Sequence, residues 1–95
     1  MLSLDSPHDK QMQVALRLKN IRLSQNLKQE TVAERSGVSL SSLKRFEKIG
    51  EISLANLALI SIVLGVLNDF DHLFQPPMQE SIKEWIKPKR KRAKN

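Results

Sequence analysis

The sequence predicts an all-α protein built from short helices. Three observations carry this. Apolar residues recur at helical spacing, as in Val14, Leu18 and Ile21. Serine and glycine stand where helices would start and stop, at Ser6, Gly37, Ser39, Ser53 and Gly65. No stretch has the two-residue alternation and turn chemistry of a β-hairpin.

Each element follows in order. Ser6 is an N-cap, Pro7 fits the first helical position, and Asp9 follows three residues after the cap. That helix is expected to end near Gln25 and Asn26. The second is "QETVAERS", residues 29–36, with Val32 and Ala33 facing inward and Gly37 as its stop. Ser39 caps the third, which runs to about Lys48. Leu43 and Phe46 anchor it, with Val38 just before. After the "IGEIS" loop, Ser53 caps a fourth helix, "LANLALISIVL", which stops at Gly65. Leu54, Leu57 and Leu64 mark its inner face. Leu59, Ile62 and Val63 make it apolar nearly all round, which suits a helix that is central or covered by a second subunit. Asn68 caps a fifth helix, "DFDHLF", and Pro76-Pro77 closes the compact part. "MQESIKEWI" adds a turn or two, and a solvated tail follows. The expected organisation is an N-terminal arm with the start of helix 1 over 1–10, a helical domain over 11–75, and a Pro-bounded basic tail over 76–95.

Composition narrows the function. Ninety-five residues make one small domain, near the low end for burying a self-sufficient core. There is no cysteine, which excludes disulfides and thiolate zinc sites and fits a reducing cytoplasm. The longest apolar stretch, 54–67, is interrupted by Gly65 and falls short of the roughly 18 residues of a membrane span. No cationic segment precedes an apolar one, so no secretory signal is expected. His8 and His72 lack further ligands at metal spacing. There is no glycine-rich phosphate loop and no nucleophile–base–acid set. Asp69 and Asp71, two apart, diverge across a helix. No metal, cofactor or enzymatic activity is expected.

The formal charge of +6 and a pI near 10.0 point to an anionic partner, with nucleic acid the leading one. The charge is uneven. Residues 1–48 carry +4, residues 49–86 carry −4, and "KPKRKRAKN" at 87–95 carries +6 with no acid. The helices at 29–36 and 39–48, joined through Gly37 and Val38, have the form of a helix-turn-helix. The third helix has apolar anchors on one side and short hydroxyls with longer cations on the other, as base-edge and phosphate contact requires.

At these residues the chain resembles a known family. The stretch from Leu16 to Val66 is similar to the five-helix, lambda-repressor-like DNA-binding domain of the Cro/cI (XRE) type. The resemblance rests on Arg22, Gln29, Val32-Ala33, Gly37-Val38-Ser39, Glu47, and Ser53-Leu54 with Leu57 and Leu64-Gly65. "EKIGEIS" departs from the Glu-Asn-Gly turn that members often carry after the third helix. The resemblance implies roles. Leu40, Ser41, Lys44 and Arg45 would face the major groove, with Arg45 binding guanine and Leu40 meeting a thymine methyl. Lys28, Gln29, Ser39, Ser42 and Lys48 would contact the phosphate backbone, Gln29 at a helix N-terminus that favours a phosphate. Arg22 and Glu47 would form an internal ion pair. The implied partner is double-stranded operator DNA.

Ile62, Val63, Leu67, Phe70, Leu73 and Phe74 are the expected homodimer surface, and a cytoplasmic repressor at the bacterial nucleoid is the expected function. The C-terminal pattern, "SLANL", then "DFDHLF" with its two prolines, then a "SI-E" segment and a terminal basic cluster, resembles HipB-type antitoxins. That resemblance implies a HipA-type kinase toxin as a further partner. A solitary regulator and a phage-type repressor are the alternatives, as is a module that mainly sequesters a toxin. Trp85 either docks on its own domain or anchors a partner. Lys87, Lys89, Arg90, Lys91, Arg92 and Lys94 form a nonspecific DNA-binding arm, a partner arm or a solubilising end. Deleting 87–95 is expected to weaken binding to every DNA sequence and to flatten the salt dependence by up to about five units. An unchanged slope, measured across a salt series, would assign the tail to a protein partner or to no binding role.

Overall fold

The computed structural model describes residues 6–76. Trp85, the basic tail and the "MQESIKEWI" turn lie outside the described residues. Four α-helices are present: α1 Pro7–Ser24, α2 Gln29–Ser36, α3 Leu40–Ile49 and α4 Leu54–Leu64. A 3-10 segment, Leu67–His72, follows them. Among the described residues there is no strand.

The helix starts follow local chemistry. The hydroxyls of Ser6, Ser39 and Ser53 each accept from a backbone N–H three residues on, at 3.0, 3.1 and 3.0 Å. Each satisfies a donor that the first helical turn would leave unpaired. α2 is the exception. Its N-cap is Lys28, which offers no side-chain cap.

The core gathers small and large apolar groups from every α-helix. Ala15, Val32, Ala33, Val38, Leu43, Phe46, Ile60 and Leu64 are buried together. α3 packs on α1 and α2, and α4 packs on α2 and α1. Val38 and Leu43 stand at the positions of a hydrophobic staple, before the Ser39 cap and one turn after it. Phe46 and Leu43 are among the largest fully buried side chains, each worth about 1.5–3 kcal/mol by removal from water.

Gln11 of α1 and Gln25, its C-cap residue, fasten the helix to its neighbours. Gln11 donates through Nε2 to the Gly50 carbonyl at 3.2 Å, and Gln25 donates to the Leu64 carbonyl at 2.9 Å. Both acceptors lie at the C-terminal ends of other helices, where carbonyls lack intrahelical partners.

The structure corrects three expectations. On α1 Leu18 and Ile21 pack against the core as expected, but Val14 of the same row is exposed and the deepest apolar contact is Ala15. A methyl side chain lets α1 approach closely, so the larger residues beside it stand at the margin. On α4 Leu54 is 67% exposed, and Ile60, Ser61 and Leu64 are buried. The first turn of α4 runs past the core, so the inward face is set further along. Ser61 is tolerated there because its hydroxyl donates to the Leu57 carbonyl at 2.8 Å. The fifth element is a 3-10 segment that begins at Leu67, before Asn68, and has no side-chain cap. Gly65 has just turned the chain at φ +77, and the segment buries none of its residues, so neither a cap nor packing extends it into an α-helix.

Candidate nucleic-acid interface

α2 and α3 are joined by a tight turn at Gly37–Ser39. Gly37 takes φ +82, a left-handed conformation that a side chain disfavours. The turn is stitched by Ser36, whose hydroxyl accepts from Val38 N at 3.1 Å and donates to the Ala33 carbonyl at 3.3 Å. Val38 is buried immediately after, so the angle between the two helices is set by packing as well as by the turn.

A buried polar cluster locks α1, α2 and α3 together at this motif. Arg22 donates through Nε to Glu47 Oε2 at 2.8 Å and through Nη2 to Oε1 at 2.9 Å, a two-pronged pair. Its Nη1 donates to the Leu27 carbonyl at 2.8 Å. Gln29 adds a bond from Nε2 to Glu47 Oε1 at 2.9 Å. The side chains of Arg22 and Glu47 are only 9% and 6% exposed, so the pair is shielded from solvent. Among the described residues, no buried side-chain nitrogen or oxygen is without a hydrogen-bond partner.

Above this cluster lies a shallow open hollow lined by Lys19, Arg22, Gln29, Lys44, Glu47 and Lys48. Lys19 was not singled out from the sequence. The signal was available, because Lys19 lies one turn before Arg22 on the same face of α1. Beside the hollow, the outer face of α3 presents Ser41, Lys44, Arg45 and Lys48, all exposed. Lys28 stands exposed at the uncapped start of α2, where free N–H groups and the helix dipole favour an anion.

The other candidate contact residues are more engaged. Leu40 is half-buried and packs on the core edge. Gln29 is half-buried and its amide is committed to Glu47. The Ser39 hydroxyl accepts from Ser42 N and donates to Ser42 Oγ at 2.8 Å, and it lies 3.3 Å from Ser41 Oγ. So the serines that crowd the start of α3 serve first as its cap. Arg45 is paired with Glu51, a residue that sequence reasoning also passed over. Positions six apart lie on different faces of a continuous helix. Arg45 and Glu51 meet only because Gly50 ends α3.

On α4 and the segment after it, Ile62, Leu67, Leu73 and Phe74 are exposed, while Val63 and Phe70 are half-buried. Leu54 and Leu59 add exposed apolar surface to α4. No helix among the described residues is long and apolar enough to cross a membrane. Among those residues, no group of acids, histidines or cysteines is placed to hold a metal ion.

Two consecutive short helices with this turn, the second carrying an exposed basic face, define a DNA-binding helix-turn-helix domain. The family model described as Helix-turn-helix matches residues 18–67, just over half of the chain, and the chain belongs to this family, of the Cro/cI (XRE) type. The family is one of DNA-binding transcription regulators and is not a catalytic one. Neither the curated proteins nor the solved structures compared with the chain include a match.

Proposed function

We propose that this protein is a sequence-specific repressor that binds a pseudo-palindromic operator as a homodimer, in the cytoplasm at the bacterial nucleoid. The observation that carries this is the exposed row Ser41, Lys44, Arg45 and Lys48 on α3, held at a fixed angle by the buried Arg22–Glu47 pair. Arg45 is the principal base reader, because a guanidinium can form two hydrogen bonds with guanine O6 and N7. Lys44 and Ser41 lie beside it on the same face, and Leu40 adds apolar contact at its margin. Lys28, Gln29, Ser39, Ser42 and Lys48 position the backbone, and Lys19 joins them.

The dimer reading is supported by the apolar side of α4 and the segment after it. Ile62, Leu67, Leu73 and Phe74 present large side chains to solvent, with Val63 and Phe70 beside them. Such a dimer reads a pseudo-palindromic site when its two α3 helices stand about 34 Å apart, one turn of DNA. Repression would follow from occupying a promoter, including the protein's own.

A HipB-type antitoxin role is a second reading. It is supported by the sequence pattern of 54–77 and by Phe74, which stands 89% exposed as a ready anchor for a HipA-type toxin. The domain division at 11–75 and the basic tail fit either reading.

The test is selection from a random-sequence duplex pool by the full chain and by Arg45→Ala. The wild type is expected to enrich two inverted half-sites. Arg45→Ala is expected to lose preference for one guanine in each by about 10- to 100-fold, with binding to scrambled DNA largely kept. Enrichment of a single unpaired half-site would sink the dimer. Unaltered preference in Arg45→Ala would remove Arg45 from base readout.

A further inference from the structure

We infer that Glu51 is a specificity-determining positioning residue, which fixes the Arg45 guanidinium for base readout and disfavours DNA held by backbone contacts alone. The inference rests on the proposed reading of α3 as the recognition helix.

Glu51 Oε1 accepts from Arg45 Nε at 3.1 Å and from Nη2 at 2.5 Å. The two side chains are 62% and 54% exposed, so the pair contributes little to stability. Its consequence lies in where it holds the guanidinium. Glu51 occupies the Nε–Nη2 edge, and Nη1 has no partner among the described residues. The Nη1–Nη2 end of the fork is therefore the edge left for guanine O6 and N7. An unrestrained arginine would have to give up rotamer freedom on binding, and the pair with Glu51 biases the free protein toward the paired rotamer.

The location of Glu51 is built into the fold. The chain leaves α3 through Gly50 at φ +78. A Cβ at Gly50 would lie 3.0 Å from the Gln11 backbone carbonyl carbon, and the Gly50 carbonyl is held by the Gln11 amide. Glu51 is thus delivered to a fixed place beside the basic face of Ser41, Lys44, Arg45 and Lys48. A carboxylate beside a face that binds DNA would repel the phosphate backbone and so weaken every complex. Only a site that rewards the oriented Arg45 offsets that cost.

Selection from a random duplex pool, followed by titration of the enriched site and a scrambled duplex, tests this on the full chain. Glu51→Ala is expected to lower the guanine preference by about two- to fivefold. It should also tighten binding to the scrambled duplex and steepen its salt slope by up to about one unit. Glu51→Gln keeps an acceptor oxygen and loses the charge. It should retain most of the base preference while also binding scrambled DNA more tightly. With Arg45→Ala already present, Glu51→Ala should change no base preference. Wild-type preference in Glu51→Ala, with preference lost in Arg45→Ala, would overturn the role of Glu51 and leave Arg45 as the reader. Preference unchanged in Arg45→Ala would overturn both. A thermal melt of Glu51→Ala matching the wild type is expected, since the residue is exposed, and separates these effects from unfolding.

Discussion

Glu47→Ala is expected to cost about 3–5 kcal/mol of folding stability, measured by urea unfolding. The family resemblance already implied an internal ion pair between Glu47 and Arg22. In the fold the Glu47 carboxylate holds Arg22 with both oxygens and takes the Gln29 amide as well. Removing it leaves the Arg22 guanidinium, which is shielded in the intact pair, with only the Leu27 carbonyl as partner. A buried, uncompensated cation is among the costliest defects a point substitution can make. Native domains have about 5–15 kcal/mol in total, so the loss is a large share of the stability and should appear as a clearly lowered urea midpoint. DNA affinity should fall with it, because α1, α2 and α3 lose their shared fastening. A companion variant sharpens the test. Replacing Arg22 and Glu47 together with apolar residues of similar volume should recover much of the stability. A Glu47→Ala protein within about 0.5 kcal/mol of wild type would show that the pair is screened by solvent and holds nothing together.

Phe46→Ala is expected to have a similar cost, about 3–5 kcal/mol, for a different reason. Phe46 is 2% exposed and belongs to the cluster formed with Ala15, Val32, Leu43 and Ile60. Alanine would leave a cavity that the rigid helices can close only in part. The small core has few other large side chains to share the loss. Urea unfolding should show a lowered midpoint with the slope preserved. A cost below about 1 kcal/mol would mean that the helices collapse freely onto the gap, and that α3 is not held at a defined angle. These two substitutions probe the two ways α3 is fixed, one by burial and one by charge-assisted hydrogen bonds.

The local features were legible in the chain itself. Serine caps at positions 6, 39 and 53 and left-handed glycines at 37 and 65 act within a turn of backbone, so residue type alone predicts them. The anchors Leu43 and Phe46 were legible too, because helical spacing places them on one face of one short element, with Val38 just before it. Other features depended on how distant elements approach. Leu54 lies outside the core and Ile60 inside it, because α4 meets α2 and α1 at an angle that no local pattern encodes. Asn68 looked like a cap, but the chain had already turned at Gly65, and Leu67–His72 winds as a 3-10 segment. The basic face of α3 follows from the order of its residues. What its side chains bond to does not. Gln29 faces Glu47 across 18 positions, and Arg45 meets Glu51 only through the bend that Gly50 allows and Gln11 holds. Residue order decides caps, stops and amphipathic faces because these are interactions between near neighbours. Which charges pair, and which apolar side chains stay wet, is decided when helices far apart in the chain close on one another.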